Sequence, residues 1–174
     1  MCIRDRYRDG AVRFWDRDSN AVTNVIQSAD SKVTGIDVLQ ENSRRLATCD
    51  SQGVVRCIDM QSSDVLAEVE TGSKLSSVKW HNKDSVVVSG VGELMLVDLN
   101  TKETVRLKGA PEAFLEVDSS DTGKVMAGVG ANNKDEGRVY LWQTVEGIWQ
   151  KRPTVFGSQA VSYTHLTLPT NREV

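Results

Sequence analysis

Short apolar runs alternate with clusters of Gly, Asn, Asp and Ser along the whole chain. Four segments share one pattern, a glycine followed by five residues of strand character: Gly10 to Trp15 (GAVRFW), Gly53 to Ile58 (GVVRCI), Gly92 to Val97 (GELMLV) and Gly137 to Trp142 (GRVYLW). The intervals between successive glycines are 43, 39 and 45 residues. Asp16, Asp59 and Asp98 follow the first three segments and Gln143 the fourth. Upstream of each later glycine lies a second apolar run, at Arg45 to Cys49, Ser85 to Ser89 and Lys124 to Val129. A third precedes it, at Val33 to Val38, Leu75 to Trp80 and Ala113 to Val117. A weaker run follows each segment, at Ala21 to Ile26, Val65 to Val69, Glu103 to Leu107 and Gly147 to Gln150. The intervening residues suit tight antiparallel turns. Sustained apolar spacing at i, i+3 and i+4 is lacking, so no helix of note is expected.

Each repeat therefore predicts four short antiparallel strands. One such sheet, alone, leaves two faces exposed; copies stacked around an axis cover one another. Runs such as Val86-Val87-Val88 require cover on both faces, because successive strand residues point to opposite sides. The fold class expected is all-β, with about three and a half four-stranded blades: a partial one over 7–28, then 29–71, 72–109 and 110–157.

The repeat resembles the WD-repeat family of β-propellers. That family's marker is Trp-Asp ending the third strand of a blade, with Asp-Gly opening it. Asp9-Gly10 and Trp15-Asp16 match directly. Gln52-Gly53 with Ile58-Asp59, Val91-Gly92 with Val97-Asp98, and Glu136-Gly137 with Trp142-Gln143 are degraded copies. Histidine is missing near Asp30-Ser31, Gly72-Ser73 and Gly109-Ala110, where the family often has Gly-His, which marks a divergent member. The resemblance implies a partial β-propeller with further blades of the same chain expected on both sides. It also implies a non-catalytic protein–protein interaction scaffold. Alternatives it leaves open are a substrate- or chromatin-recognition subunit of a ubiquitin-ligase or histone complex, and a propeller enzyme with a central-channel site.

The two ends stand apart from the repeat. Met1-Cys2-Ile3-Arg4-Asp5 can be read as ATG TGT ATA AGA GAC. The reverse complement translates to Val-Ser-Tyr-Thr-His, which is Val161 to His165. One DNA element read on opposite strands can thus encode both ends, and it resembles a transposase sequencing adapter. Residues 1–6 and 161–174 are therefore expected to be appended rather than native, and are set aside in reading the fold.

Composition narrows the class. A formal net charge of −3 without a Lys/Arg run gives no indication of nucleic acid as a partner. No apolar stretch approaches the length of a membrane span. Cys49 and Cys57 flank a turn unequally, which places them roughly 10 Å apart at strand rise, too far for a disulfide. With no Asn-x-Ser/Thr sequon, an intracellular location, in cytoplasm or nucleus, is expected.

Little in the chain suggests reaction chemistry. His81 falls in a polar turn with no second ligand or base beside it, and reads as solvated. Gly90-x-Gly92 and Gly128-x-Gly130 lack a following helix N-terminus and read as tight turns. The innermost strands would offer Asp37, Lys79 and Glu116, too few for a catalytic site. No catalytic residue, metal ligand or cofactor is expected. Trp15 and Trp142 occupy matched strand ends and read as inter-blade packing with the indole N–H satisfied at the rim. The connection Asn132, Asn133, Lys134, Asp135, Glu136 is long where its counterparts are short, and insertions on a repeat scaffold often carry partners. That loop, with Trp149 on an outermost strand, is the expected partner-binding surface. The partners expected are other proteins.

Overall fold

The computed structural model describes residues 2–6, 9–16, 18–39, 44–107, 114–120, 122–131, 137–146, 148–152 and 155–156. All regular structure among them is β. The strands β1 (Cys2–Arg6), β2 (Ala11–Asp16) and β3 (Ala21–Gln27) make a three-stranded sheet. The next four, β4 (Val33–Val38), β5 (Arg45–Asp50), β6 (Val54–Asp59) and β7 (Val65–Glu70), make a four-stranded sheet in chain order. A second is built from β8 (Leu75–Asn82), β9 (Ser85–Gly90), β10 (Glu93–Asp98) and β11 (Thr104–Leu107). The last contains β12 (Phe114–Ser119), β13 (Val125–Ala131), β14 (Gly137–Val145) and β15 (Ile148–Lys151), with β16 (Val155–Phe156) also pairing β14. Every pairing is antiparallel, and all but β14 with β16 join chain neighbours. This is the strand plan predicted from the repeat: blades of a partial β-propeller.

One pairing departs from the expectation. Cys2–Arg6, set aside on sequence, lies in register against β2, from Cys2 opposite Asp16 to Arg6 opposite Val12. The first blade otherwise has only its last two strands, so β2 would present an open edge. An open edge is a row of unpaired N–H and C=O groups that almost any extended chain can satisfy. The pairing is made by backbone, and is indifferent to the origin of the segment.

Alternation within strands sends side chains to two different cores. Leu46 and Ile58 of the second blade join Val12, Phe14 and Ile26 of the first. Their neighbours Ala47, Cys49, Val55 and Cys57 join Val78, Trp80, Val86, Val88 and Met95 of the third. Val87 and Leu94 point the other way, onto Phe114, Met126, Tyr140 and Trp142 of the fourth. Val86, Val87 and Val88 all have 0% of their surface exposed, as a strand covered on both faces demands. Burying one valine contributes about 1.5–3 kcal/mol, so covering both faces of a middle blade is the main stabilising effect of stacking.

The details recur with the repeat. The first strand of each complete blade carries a bulge at one place, between Val33/Gly35, Leu75/Ser77 and Phe114/Glu116. At the repeated glycine, φ is +79° for Gly10 and +95° for Gly53. A Cβ there would also collide with a backbone carbonyl of the chain leading to the next blade, Ala29 O and Ser73 O respectively. Conformation and close approach both require glycine. Gly92 keeps the positive φ, +72°, but a Cβ would meet open space, which fits the decay of the motif in that blade. Gly128 and Gly130 lie inside β13 and not in a turn. Gly128 is needed because a Cβ would come within 2.8 Å of the Phe114 ring.

Candidate functional site

The aspartate that closes each repeat segment acts on the hairpin turn that follows it. Asp59 Oδ1 accepts the N–H groups of Gln61 and Ser62 at 2.8 and 3.1 Å. Asp98 Oδ1 accepts those of Asn100 and Thr101 at 2.9 and 2.8 Å. Asp16 Oδ2 accepts the N–H and Oγ–H of Ser19. These bonds favour the ionised form and hold all three carboxyls below the ordinary range, with the Ser62, Thr101 and Ser19 bonds the leading causes. In each turn the last residue is left-handed: Asn20 (φ +51°), Ser63 (+66°) and Lys102 (+62°). Gln143, which replaces the aspartate in the last blade, instead accepts from Arg152 Nε at 3.0 Å; there β14 runs on to Val145 and the turn is a tighter one, closed by Val145 opposite Ile148, with Glu146 left-handed at +52°.

A second polar device sits at the opposite end of the strands. Asp50 accepts the N–H groups of Gln52 and Val54 at 2.9 and 3.0 Å and Arg56 Nη1 at 2.8 Å. Arg56 Nε reaches Glu68 at 2.7 Å. The Asp50 side chain is 3% exposed and that of Arg56 16%. Burial pushes the Asp50 carboxyl upward, but the Val54 N–H, the Arg56 guanidinium and the Gln52 N–H together outweigh it and leave it lowered. Asp9 and Arg13 form the counterpart in the first blade, at 2.7 Å.

Blades are also pinned to one another by polar groups. Asp37 Oδ2 on β4 accepts the backbone N–H of Trp80 on β8 at 2.9 Å, Asp37 O accepts the Trp80 indole N–H at 3.2 Å, and Lys79 Nζ lies 3.4 Å from Asp37 Oδ1. Two of the three innermost-strand candidates, Asp37 and Lys79, thus meet each other, while Glu116 is exposed. Ser76 Oγ donates to Phe114 O at 2.6 Å, and Ser28 and Thr48 hydroxyls meet at 2.7 Å.

His81 is not the solvated turn residue expected. It is half-buried at the end of β8, with Nδ1 2.9 Å from Ser119 Oγ on β12. Its ring meets Trp149 of β15 edge-to-face, 5.5 Å between centroids. Burial lowers its pKa. Trp149, a candidate partner residue, is accordingly half-buried and packed against the core between the third and fourth blades. The other candidates, Asn132, Asn133, Lys134, Asp135 and Glu136, lie outside the described residues.

Trp142 is 1% exposed and packs with Phe114 and Tyr140. Its indole nitrogen has no hydrogen-bond partner among the described residues, contrary to the expected satisfaction at the rim, because the ring lies in the aromatic core instead. Trp15 is half-buried, opposite Val22. Gly137 opens β14 opposite Ala131. Cys49 and Cys57 are buried, and burial pushes the Cys57 thiol up. Among the described residues no group of three His, Cys, Asp or Glu side chains could hold a metal ion, and no helix is long and apolar enough to cross a membrane.

The inter-blade clamps escaped the sequence because Asp37 and Trp80, or His81 and Trp149, are far apart in the chain. Only the Asp50–Arg56 and Asp9–Arg13 pairs had a local signal, an acid and an arginine straddling a tight turn.

No protein-family model and no curated protein matches the chain. Solved structures do. A chain of the Mitotic Checkpoint Complex superposes with a TM-score of 0.73 at 17% identity, over 88% of this chain and 48% of that one. One from Kuenenia stuttgartiensis hydrazine synthase gives 0.72 at 17%, over 86% and 44%. The Swd1 β-propeller domain of Myceliophteria thermophila gives 0.69 at 17%, over 82% and 48%. The chain therefore spans less than half of the chains it matches. At this identity the likeness is one of fold, and the fold is a β-propeller.

Proposed function

We propose that the chain is part of a non-catalytic, intracellular scaffold that binds other proteins through the loops and rim of a WD-repeat propeller. The observation that carries this reading is where the polar side chains go. Asp37, Lys79, Ser76, Asp50 and Arg56 are engaged in joining strands and blades, which makes a stiff frame. On such a frame the variable loops are the available recognition elements. One of the matched structures is named as a Mitotic Checkpoint Complex, in keeping with a role inside assemblies. The match to hydrazine synthase keeps an enzyme built on a propeller as the second reading.

The test is affinity purification with mass spectrometry on the longer natural chain. Stable protein partners, lost when Asn132 to Glu136 is replaced by Gly-Ser, are the expected result. Partners unchanged by that replacement would remove the loop from the recognition surface, and turnover of a small molecule by the purified chain would favour the enzyme.

A further inference from the structure

Each described blade ends on an outer strand: β3, β7, β11 or β15. An outer strand is a row of unpaired backbone groups, and proteins usually blunt it. Three of the four are blunted. On β3 the Asn24 carboxamide oxygen accepts the Val25 N–H at 2.8 Å, and its nitrogen donates to Met60 O of the next blade. β11 has four residues. β15 also has four residues and ends on Lys151. By contrast β7 runs for six residues, Val65–Glu70, with neither proline nor glycine.

The register of β7 is fixed. Thr71 N–H donates to Gly53 O at 2.9 Å, and Val69 and Glu68 stand opposite Val55 and Arg56. Antiparallel alternation then turns the N–H and C=O of Glu68 and Glu70 away from β6. Beside them Val65 and Leu66 are 50% and 51% exposed. The charge of this edge is one-sided: Asp64 and Glu70 are exposed, Glu68 is already held by Arg56 of β6 at 2.7 Å, and segment 64–70 contains no Lys or Arg. No other outer strand shares this. Segment 21–27 is uncharged, and 103–107 balances Glu103 with Arg106. A second copy of β7 would set acid against acid, which is destabilising in a cross-strand pair.

We infer that the outer edge of β7 is a strand-addition site for an extended protein segment that alternates aliphatic with basic residues. Backbone pairing with Glu68 and Glu70 supplies the affinity, Val65 and Leu66 cover its aliphatic side chains, and the carboxylates of Asp64 and Glu70 select its charge. The inference rests on the scaffold reading and adds to it a place and a partner chemistry.

The test uses the full chain and a synthetic Lys-Val octapeptide, N-methylated on alternate residues so that it has one pairing edge. The control is the Glu-Val octapeptide of the same pattern. Amide hydrogen exchange should slow at least tenfold at Glu68 and Glu70 with the Lys-Val peptide alone, and affinity should fall as salt is raised. The variant Glu70→Pro removes one outward N–H without a β6 pairing bond and should weaken binding at least tenfold with the thermal transition unchanged. Asp64→Lys with Glu70→Lys, at two side chains exposed to solvent, should reverse the preference between the peptides. Equal protection by both peptides, protection at β3 or β11 in place of β7, or none at all would overturn the inference. Any of those results leaves the affinity-purification test of the scaffold reading intact.

Discussion

In the blade of β4–β7, Arg56 stands three residues after the repeat glycine and joins Asp50 to Glu68. In the blade of β12–β15 the same offset from Gly137 is occupied by Tyr140, edge-to-face with Phe114 and under Lys151. The facing residues change together: Thr48 opposite Arg56 is a hydroxyl, Gly128 opposite Tyr140 is bare backbone. One blade fills this layer with a charged chain and the other with aromatic rings, and the missing side chain of Gly128 makes the room. Strand order and turn offsets fix the frame, while its filling is exchangeable provided volume and hydrogen bonding are rebalanced locally.

The difference can be broken from either side. Trp142→Ala should have the largest effect, about 3–5 kcal/mol lost in urea unfolding, because it empties the aromatic core. Trp142→Phe should stay within about 1 kcal/mol of the parent, since the lost packing is offset by removing an N–H with no acceptor among the described residues, itself a cost of about 1–3 kcal/mol. Gly53→Ala comes next. It incurs both left-handed strain and collision with Ser73 O, and should cost upwards of about 3 kcal/mol, whereas Gly92→Ala meets strain alone, about 1–2 kcal/mol. Equal unfolding midpoints for the two would remove close approach as the reason for the glycine.

Arg56→Met leaves Asp50 buried without its cation and should cost about 3 kcal/mol at neutral pH. Since the folded Asp50 carboxyl titrates below its ordinary value, near about 3.9, its contribution is present above that value and lost as pH falls through the folded one. The parent should therefore lose stability steeply in that acid window, and Arg56→Met should lose less. The smallest effect is expected at His81. Its pKa is lowered by burial, so the folded form binds protons less readily than the unfolded one. Stability should decline as pH drops below about 6.5, and His81→Gln should flatten that slope. The Trp149 emission, reporting the contact directly, should follow the same titration.

The period, the strand order and the turn aspartates were legible in the sequence because they are local. Asp59 caps residues two and three places on, and its spacing from Gly53 repeats in Asp16 and Asp98. Alternation also revealed Val86-Val87-Val88 as covered on both sides. What escaped depends on which blade faces which. His81 reads as a turn residue until β12 and β15 are laid beside it, and Gly128 looks like a turn glycine until the Phe114 ring is placed. The Trp142 indole was expected at the rim because the motif marks its strand position and says nothing of the rings around it. Of the expected recognition surface, Trp149 turned out to share its ring face with His81.

The left-handed corners carry a consequence for diversity. Asn20, Ser63 and Lys102 hold the same left-handed corner with an amide, a hydroxyl and an amine. Glycine would be the default at such a dihedral, yet none of the three uses it. In each the preceding aspartate supplies the turn geometry, so the side chain at the corner is released from any duty to the frame. A row of equivalent corners can thus display unrelated chemistries, like interchangeable letters in a fixed line of type, and one face of the propeller can change its message without altering the structure beneath.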